Sequence, residues 1–143
     1  MLNIVLPNII KKKIYNDVKK EYPKECCGLL IGQKNNNILI CKESVNTKNI
    51  ATNPYHFFEI DNQEIINIQK LYRKDKLSII GHYHSHPNSE LKSRPSKKDI
   101  ESIFDINLCW LIIGINGKAI ELSAYFPIKS TENSYNLKEI NIN

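Results

Sequence analysis

A chain of 143 residues fits one compact domain, the size at which a single continuous core is usual. Its hydrophobic fraction of 41% and charged fraction of 24% exclude disorder. The net charge of +5 comes from scattered lysines whose only tight run, Lys11-Lys12-Lys13, falls on a predicted helix. No basic stripe is interleaved with aromatics, so the charge predicts a solvated face rather than a nucleic-acid partner, and at most a weak preference for acidic proteins. No apolar run approaches the ~20 residues of a membrane span, and MLNIVLPNIIKKK lacks the layout of an export signal; a cytoplasmic location is expected. Cys26, Cys27, Cys41 and Cys109 include no C-x-x-C pair and read as small buried hydrophobes in a reducing compartment.

Residues Leu2 to Leu6 predict a short strand, after which Asn8 can cap a helix to about Glu21 with Ile10, Ile14 and Val18 on one face. Cys26 to Ile31 is apolar and suits a buried strand, which the asparagines at 35–37 turn back into Ile38 to Val45. A loop through Pro54 leads to a short strand, His56 to Ile60, and Asp61 can cap a second helix ending near Lys74. Leu77 to Ser85 is strand-like, 86–95 is a loop, and Pro95-Ser96 opens a third helix whose apolar positions include Ile100, Ile103 and Phe104. Cys109 to Ile115 and Ala119 to Tyr125 form a hairpin about Asn116-Gly117. The domain is expected over 1–126, and the aperiodic residues 127–143 read as a polar, loosely held tail.

The chemistry concentrates in residues 81–99, GHYHSHPNSELKSRPSKKD. On a strand, residues two apart share a face, so His84 and His86 can converge on one ion. Catalytic zinc takes three protein ligands and leaves a position open to water, and Asp99, in the first turn of the third helix, can be the third. Ser96 and Asp99 also fit a capping box, which alone would be the better reading, and His-x-His alone is a modest signal. Both histidines, the proline after them and Ser-x-x-Asp at the next helix start together point to a metal site. His82 shares their face by parity, and a histidine satisfied by backbone hydrogen bonds is its expected role, with support of the metal ligands as the other reading.

These residues resemble the signature of the JAMM (MPN+) metalloprotease family: an upstream glutamate, H-[ST]-H-P, a loop, and S-x-x-D. The stretch Tyr22-Pro23-Lys24-Glu25-Cys26-Cys27-Gly28-Leu29-Leu30 is similar to the bacterial form of its upstream element, and Phe57-Phe58-Glu59-Ile60-Asp61 and Trp110-Leu111-Ile112-Ile113 also match. The resemblance covers roughly residues 1–125. It implies an α/β fold with a mixed, partly antiparallel sheet flanked by helices, of cytidine-deaminase-like architecture. It further implies one zinc per chain on His84, His86 and Asp99, Glu25 as general base, and Ser96 helping to stabilise the tetrahedral intermediate. One departure stands out: His86 and Ser96 are ten positions apart, two more than in most relatives, which brings Glu90 in as an alternative ligand.

The function so implied is hydrolysis of an amide or isopeptide bond following the Gly-Gly terminus of a small ubiquitin-like or sulfur-carrier protein, with the substrate tail bound along an exposed backbone edge near the loop 86–95. A non-catalytic MPN-type binding scaffold and a small-molecule amidohydrolase are the alternatives, and a cysteine nucleophile at Cys26 or Cys27 is a minor one. The oligomeric state has no signal in the sequence.

Overall fold

A computed structural model describes residues 1–87, 90–117 and 119–143. Its elements are β1 (Asn3–Val5), α1 (Asn8–Glu21), β2 (Cys27–Asn35), β3 (Ile38–Thr47), α2 (Asn62–Arg73), β4 (Ser78–Pro87), α3 (Lys97–Glu101), β5 (Cys109–Asn116), β6 (Ala119–Thr131) and β7 (Ser134–Ile142). The strands close into a barrel in the order β1-β3-β2-β4-β5-β6-β7, with β1 parallel to both β3 and β7 and β4 parallel to β5. The sheet is mixed, as expected. It is not an open sheet between helical layers, because β7 pairs with β6 on one side and β1 on the other and removes both free edges.

Residues 127–143, expected as a loose tail, are therefore the second half of β6 and the whole of β7. They look polar because only some positions turn inward: Tyr135, Leu137, Ile140 and Ile142 are covered, while the residues around them face solvent. Ile140 joins a core to which every strand contributes, among them Ile4, Leu30, Leu39, Tyr83, Leu111 and Ala124.

Helix α1 completes that core. Its repeat of Ile10, Ile14 and Val18 is buried as the periodicity predicts, and each such side chain removed from water is worth about 1.5–3 kcal/mol. Pro7, not Asn8, takes the capping position and makes no side-chain bond there; Asn8 is the first helical residue. Helix α2 starts where Asp61 accepts a hydrogen bond from the Gln63 amide at 3.0 Å, and packs Ile68 over Leu29 and Ile31. Helix α3 stops at Glu101, which leaves Phe104 outside it and 90% exposed rather than on a buried face. His56 to Ile60 is not a strand, because its neighbour is not a strand either: the Ile50 amide donates to the Glu59 carbonyl, and the Asn49 side chain bonds Phe57 and Glu59. Of the hairpin turn at Asn116-Gly117, Gly117 has φ +64° as a tight turn requires, and Lys118 lies outside the described residues.

Two faces of β4 and β5 organise the rest. Along β5, Cys109, Leu111, Ile113 and Ile115 enter the core with α1, while Trp110 and Ile112 lie on the opposite face. A bulge sets the same alternation on β4: Leu30 stands opposite Gly81 but Ile31 opposite Ile79, so Ile80 is an extra residue. Beyond it Tyr83 points into the core, and His82, His84 and His86 point out. Closure by β7 makes the barrel's stability depend on residues remote from this face. Removal of residues 132–143 should lower the melting temperature by about 10 °C or more, measured by circular dichroism; an unchanged melt would show that β7 adds no cohesion.

Candidate metal centre and its groove

His84 and His86 lie at the end of β4, and Asp99 in the first turn of α3. Their side chains meet: His84 Nε2 is 3.0 Å from His86 Nε2 and 3.3 Å from Asp99 Oδ2, and His86 Nε2 is 3.1 Å from the same oxygen. All three residues are buried. Asp99 caps the helix and faces the histidines at once. The Ser96 amide donates to Asp99 Oδ2 at 2.9 Å, and the Asp99 amide donates to Ser96 Oγ at 3.0 Å, so the capping box aims the carboxylate at the histidines.

Ligands of a tetrahedral zinc at about 2.0–2.1 Å stand about 3.3 Å from one another, close to the spacings here. His86 Nδ1 is 3.0 Å from the Lys92 carbonyl, which takes a proton on that nitrogen and leaves Nε2 with a lone pair toward the cluster. His84 Nδ1 is buried without a partner, so no hydrogen bond sets its tautomer; its ring is held by stacking on Phe58, with centroids 4.2 Å apart and planes 17° apart. The donor set and its geometry fit a divalent zinc-like ion. Glu90 is exposed and outside the trio.

Charge follows the same geometry. Burial pushes the Asp99 carboxyl up, but hydrogen bonds with His84 and His86 and from the Ser96 amide overcome it and hold Asp99 well below the usual carboxylate range. For His86 burial acts downward, and the Asp99 hydrogen bond and charge, with help from Glu25 and the Lys92 carbonyl, carry the net shift upward. His84, fully enclosed, is shifted down by burial.

Glu25 stands just before β2, buried and facing the same space. Its backbone is pinned on both sides: its amide donates to the Pro54 carbonyl at 2.7 Å, and Asn49 Nδ2 donates to its carbonyl at 3.0 Å. The next residue is fastened to β4 through Ser85, whose Oγ accepts the Cys26 amide at 2.8 Å and whose own amide donates to the Cys26 carbonyl at 3.0 Å. Ser85, between the two histidines, thus points to the other face and ties the glutamate segment to the strand that carries them. Sequence reasoning passed over Ser85 and Asn49; the parity of the His-Ser-His triplet was the signal for the first, and nothing in the sequence marks the second. Burial pushes the Glu25 carboxyl up to about 8, with His86 lowering and Asp99 raising it. Burial pushes the thiols of Cys26 and Cys27 up as well, to about 12 and about 11, which removes them as nucleophiles.

The longer loop is also accommodated. Asn88 and Ser89 lie outside the described residues, but further on Lys92 takes φ +56° and Ser93 is buried. Ser93 Oγ donates to Glu121 Oε2 at 2.8 Å, its amide to the same oxygen at 3.2 Å, and Tyr125 Oη donates to the Ser93 carbonyl at 2.9 Å. Gly114, opposite His86 on β5, makes room: a Cβ there would lie 2.6 Å from the Lys92 carbonyl carbon. The extra residues therefore do not displace Asp99, and the loop is clamped on β6 where its carbonyl meets His86.

A groove of about 1080 Å³ runs past the trio, with Glu25, His86, Ser96 and Asp99 at one part and Phe57, Phe58, Ile60, His82, Phe104 and Trp110 among its walls. His82 is not satisfied by backbone hydrogen bonds as expected, for its Nδ1 is buried with no partner. Burial pushes its imidazole down to about 3, so the ring is neutral.

The family described as prokaryotic homologues of the JAB domain matches residues 7–126. The chain belongs to that family. The JAB chain is 32% identical over 111 residues to a UPF0758 protein of Clostridium beijerinckii, covering 73% of this chain and 47% of that one. It is 29% identical over 96 residues to a desampylase of Haloferax volcanii, covering 67% of this chain and 66% of that one. The matched segment thus spans about half of the first relative and just under two thirds of the second. Among solved structures, a solution structure of a Desulfitobacterium hafniense protein superposes with a TM-score of 0.80 at 24% identity, over 98% of this chain and 92% of that one. One from Salinibacter ruber superposes at 0.67 and 20% identity, over 100% and 92%. These two likenesses concern the JAB fold.

A pH dependence follows from Glu25. Its carboxyl sits above the unfolded value of about 4.3, so ionising it costs the folded state; the cost is absent below about pH 4, grows as pH rises, and levels off near 8. In chelator, Glu25→Gln should therefore melt higher than the wild type at pH 8 and equally at pH 4, by differential scanning calorimetry. A Gln variant no more stable at pH 8 would remove the burial argument.

Proposed function

We propose that this JAB-family chain is a zinc-dependent metallopeptidase that hydrolyses an amide bond, with His84, His86 and Asp99 holding one zinc per chain, Glu25 as general base and Ser96 assisting. The observation that carries this is the buried trio, with a separate, proton-retaining carboxylate facing it in one groove. When bound there, zinc supplies Lewis acidity and lowers the pKa of water toward ~7. Glu25 accepts the proton of the attacking water and passes it to the leaving amine, and its raised proton affinity suits both halves of that transfer. Ser96 Oγ accepts the Asp99 amide and keeps its own proton free for a developing oxyanion.

A peptide substrate is supported by the groove wall. Among the described residues the barrel leaves no free sheet edge, contrary to the edge expected near the loop, but residues 57–60 offer unpaired backbone beside the groove. The Phe57 amide donates to the Asn53 carbonyl and the Phe57 carbonyl accepts from Asn49, Glu59 pairs with Asn49 and Ile50, and the alternate residues Phe58 and Ile60, which line the groove, have no main-chain partner among the described residues. An extended tail can pair there. The relative named desampylase supports a small ubiquitin-like or sulfur-carrier protein ending in Gly-Gly as that substrate, since glycines pass a crowded site most easily. Lys92 and Arg94 are exposed beside the site for an acidic carrier surface, although Arg94 also turns back on the Glu90 and Leu91 carbonyls.

Elemental analysis should find about one zinc per wild-type chain, much less in His84→Ala, His86→Ala and Asp99→Ala, and the full amount in Glu90→Ala and Glu25→Gln. Glu25→Gln should lose about 10²–10⁴ in rate. Full occupancy without Asp99, or retained hydrolysis without Glu25, would overturn these roles. A carrier fusion in which Gly-Gly precedes a reporter should be cleaved, and the Ala-Ala version should not; turnover of a short Gly-Gly amide alone would favour a small-molecule amidohydrolase, and binding without any turnover a scaffold.

A further inference from the structure

His82 is left over by the chemistry above. It stands two residues before His84 on the same face of β4, about 7 Å along the strand. Phe58 and Trp110 hold it, with ring centroids 6.1 Å and 4.4 Å away and Trp110 meeting it edge-on. The residue lines the groove and is only partly buried. Its Nδ1, by contrast, is sealed in the protein with no partner. Its Nε2 makes no hydrogen bond to any described residue and is not among the sealed atoms, so Nε2 is the nitrogen on the open side of the ring.

A histidine in such a place is costly. A sealed, unpaired polar atom costs about 1–3 kcal/mol, and an apolar side chain between Phe58 and Trp110 would avoid that cost. The tautomer follows from the same accounting. With no acceptor near Nδ1, the proton of the neutral ring is better placed on Nε2, where water or a ligand can accept it. The floor of the groove therefore presents one N–H donor between two aromatic walls, one strand step from the trio.

We propose that His82 is a specificity-determining residue of this site, its Nε2–H donating a hydrogen bond to a side-chain acceptor on the substrate residue next but one to the residue that supplies the scissile carbonyl. This rests on the peptidase reading. The spacing is that of an extended chain, in which alternate residues face the same wall about 7 Å apart, so a tail with its scissile carbonyl at the trio and its backbone along Phe58 lays its next-but-one residue on His82. The acceptor is a side-chain amide, hydroxyl or carboxylate of that residue; its aliphatic part packs on Phe58 and Trp110. A site built to donate a hydrogen bond discriminates against an isosteric apolar group, because filling it with one leaves the donor buried and unpaired.

The test uses the full chain and Gly-Gly reporter fusions carrying Gln or Leu at the residue immediately before Gly-Gly, and separately at the second residue after the scissile bond. Wild type should prefer Gln over Leu on one of the two sides by about tenfold in kcat/KM, chiefly through KM. His82→Leu should abolish or reverse that preference while leaving kcat on the Leu fusion within about threefold and zinc content unchanged. His82→Gln, which keeps a donor, should retain it. The same preference should appear in fluorescence anisotropy of the labelled tails bound to the Glu25→Gln chain, without turnover, so absence of hydrolysis would sink the peptidase reading while this arm still tests His82. No Gln preference on either side, or the same preference in His82→Leu, overturns the proposal.

Discussion

The arrangement depends on the alternation of β4 between two sides. Tyr83 and Ser85 turn one way, into the core with α1 or onto the Cys26 backbone, while His82 and His86 turn into the groove and the buried His84 turns to the same side, onto His86 and Asp99. A shift of one residue in register would exchange the two sets and place three imidazoles in an apolar core. The bulge at Ile80, parallel pairing with β5 and antiparallel pairing with β2 fix that register, and Gly28 supports it because a Cβ there would lie 2.3 Å from the Tyr83 ring. Barrel closure by β7 then holds β5 and β6 against movement relative to β4.

The site is preorganised at some cost. His84 and His82 each keep a buried nitrogen without a partner, and Glu25 is a carboxylate in a place that favours its neutral form. A chain selected for stability alone would fill these positions with apolar side chains. Their burden is met by the surrounding scaffold: Ser85 and Asn49 hold the Glu25 segment, the capping box holds Asp99, and Phe58 holds the His84 ring. Because each support is itself on a strand, a cap or a pinned segment, these groups retain their relative positions with few degrees of freedom.

The longer loop shows how an insertion is tolerated beside such a site. Its cost in chain entropy is small, and the geometry that matters, the carbonyl facing His86 Nδ1, is restored by fastening Ser93 to Glu121 and Tyr125. Gly114 is part of the same solution, since the loop backbone lies directly on it.

Much was legible in the sequence because it was local. The periodicity of Ile10, Ile14 and Val18, the Asp61 cap, the two-residue spacing of His84 and His86, and the Ser96–Asp99 cap are each set by interactions within a few residues, and each has its expected form. The resemblance to a known pattern also singled out Glu25, which lies in the same groove as His86 and Asp99. What only the tertiary structure decided was long-range. Residues 134–142 are polar enough to read as a tail, and become a strand because β6 and β1 offer both of their edges. His56 to Ile60 lost its strand for the converse reason, as side-chain amides and a loop, not a neighbouring strand, bond its backbone. Likewise His82 looked like a histidine with backbone partners, and whether a ring nitrogen has a partner depends on walls contributed by Phe58 and Trp110, residues far away in the chain. Hydrogen-bond satisfaction and strand pairing are properties of neighbours in space, so no local pattern in the chain encodes them.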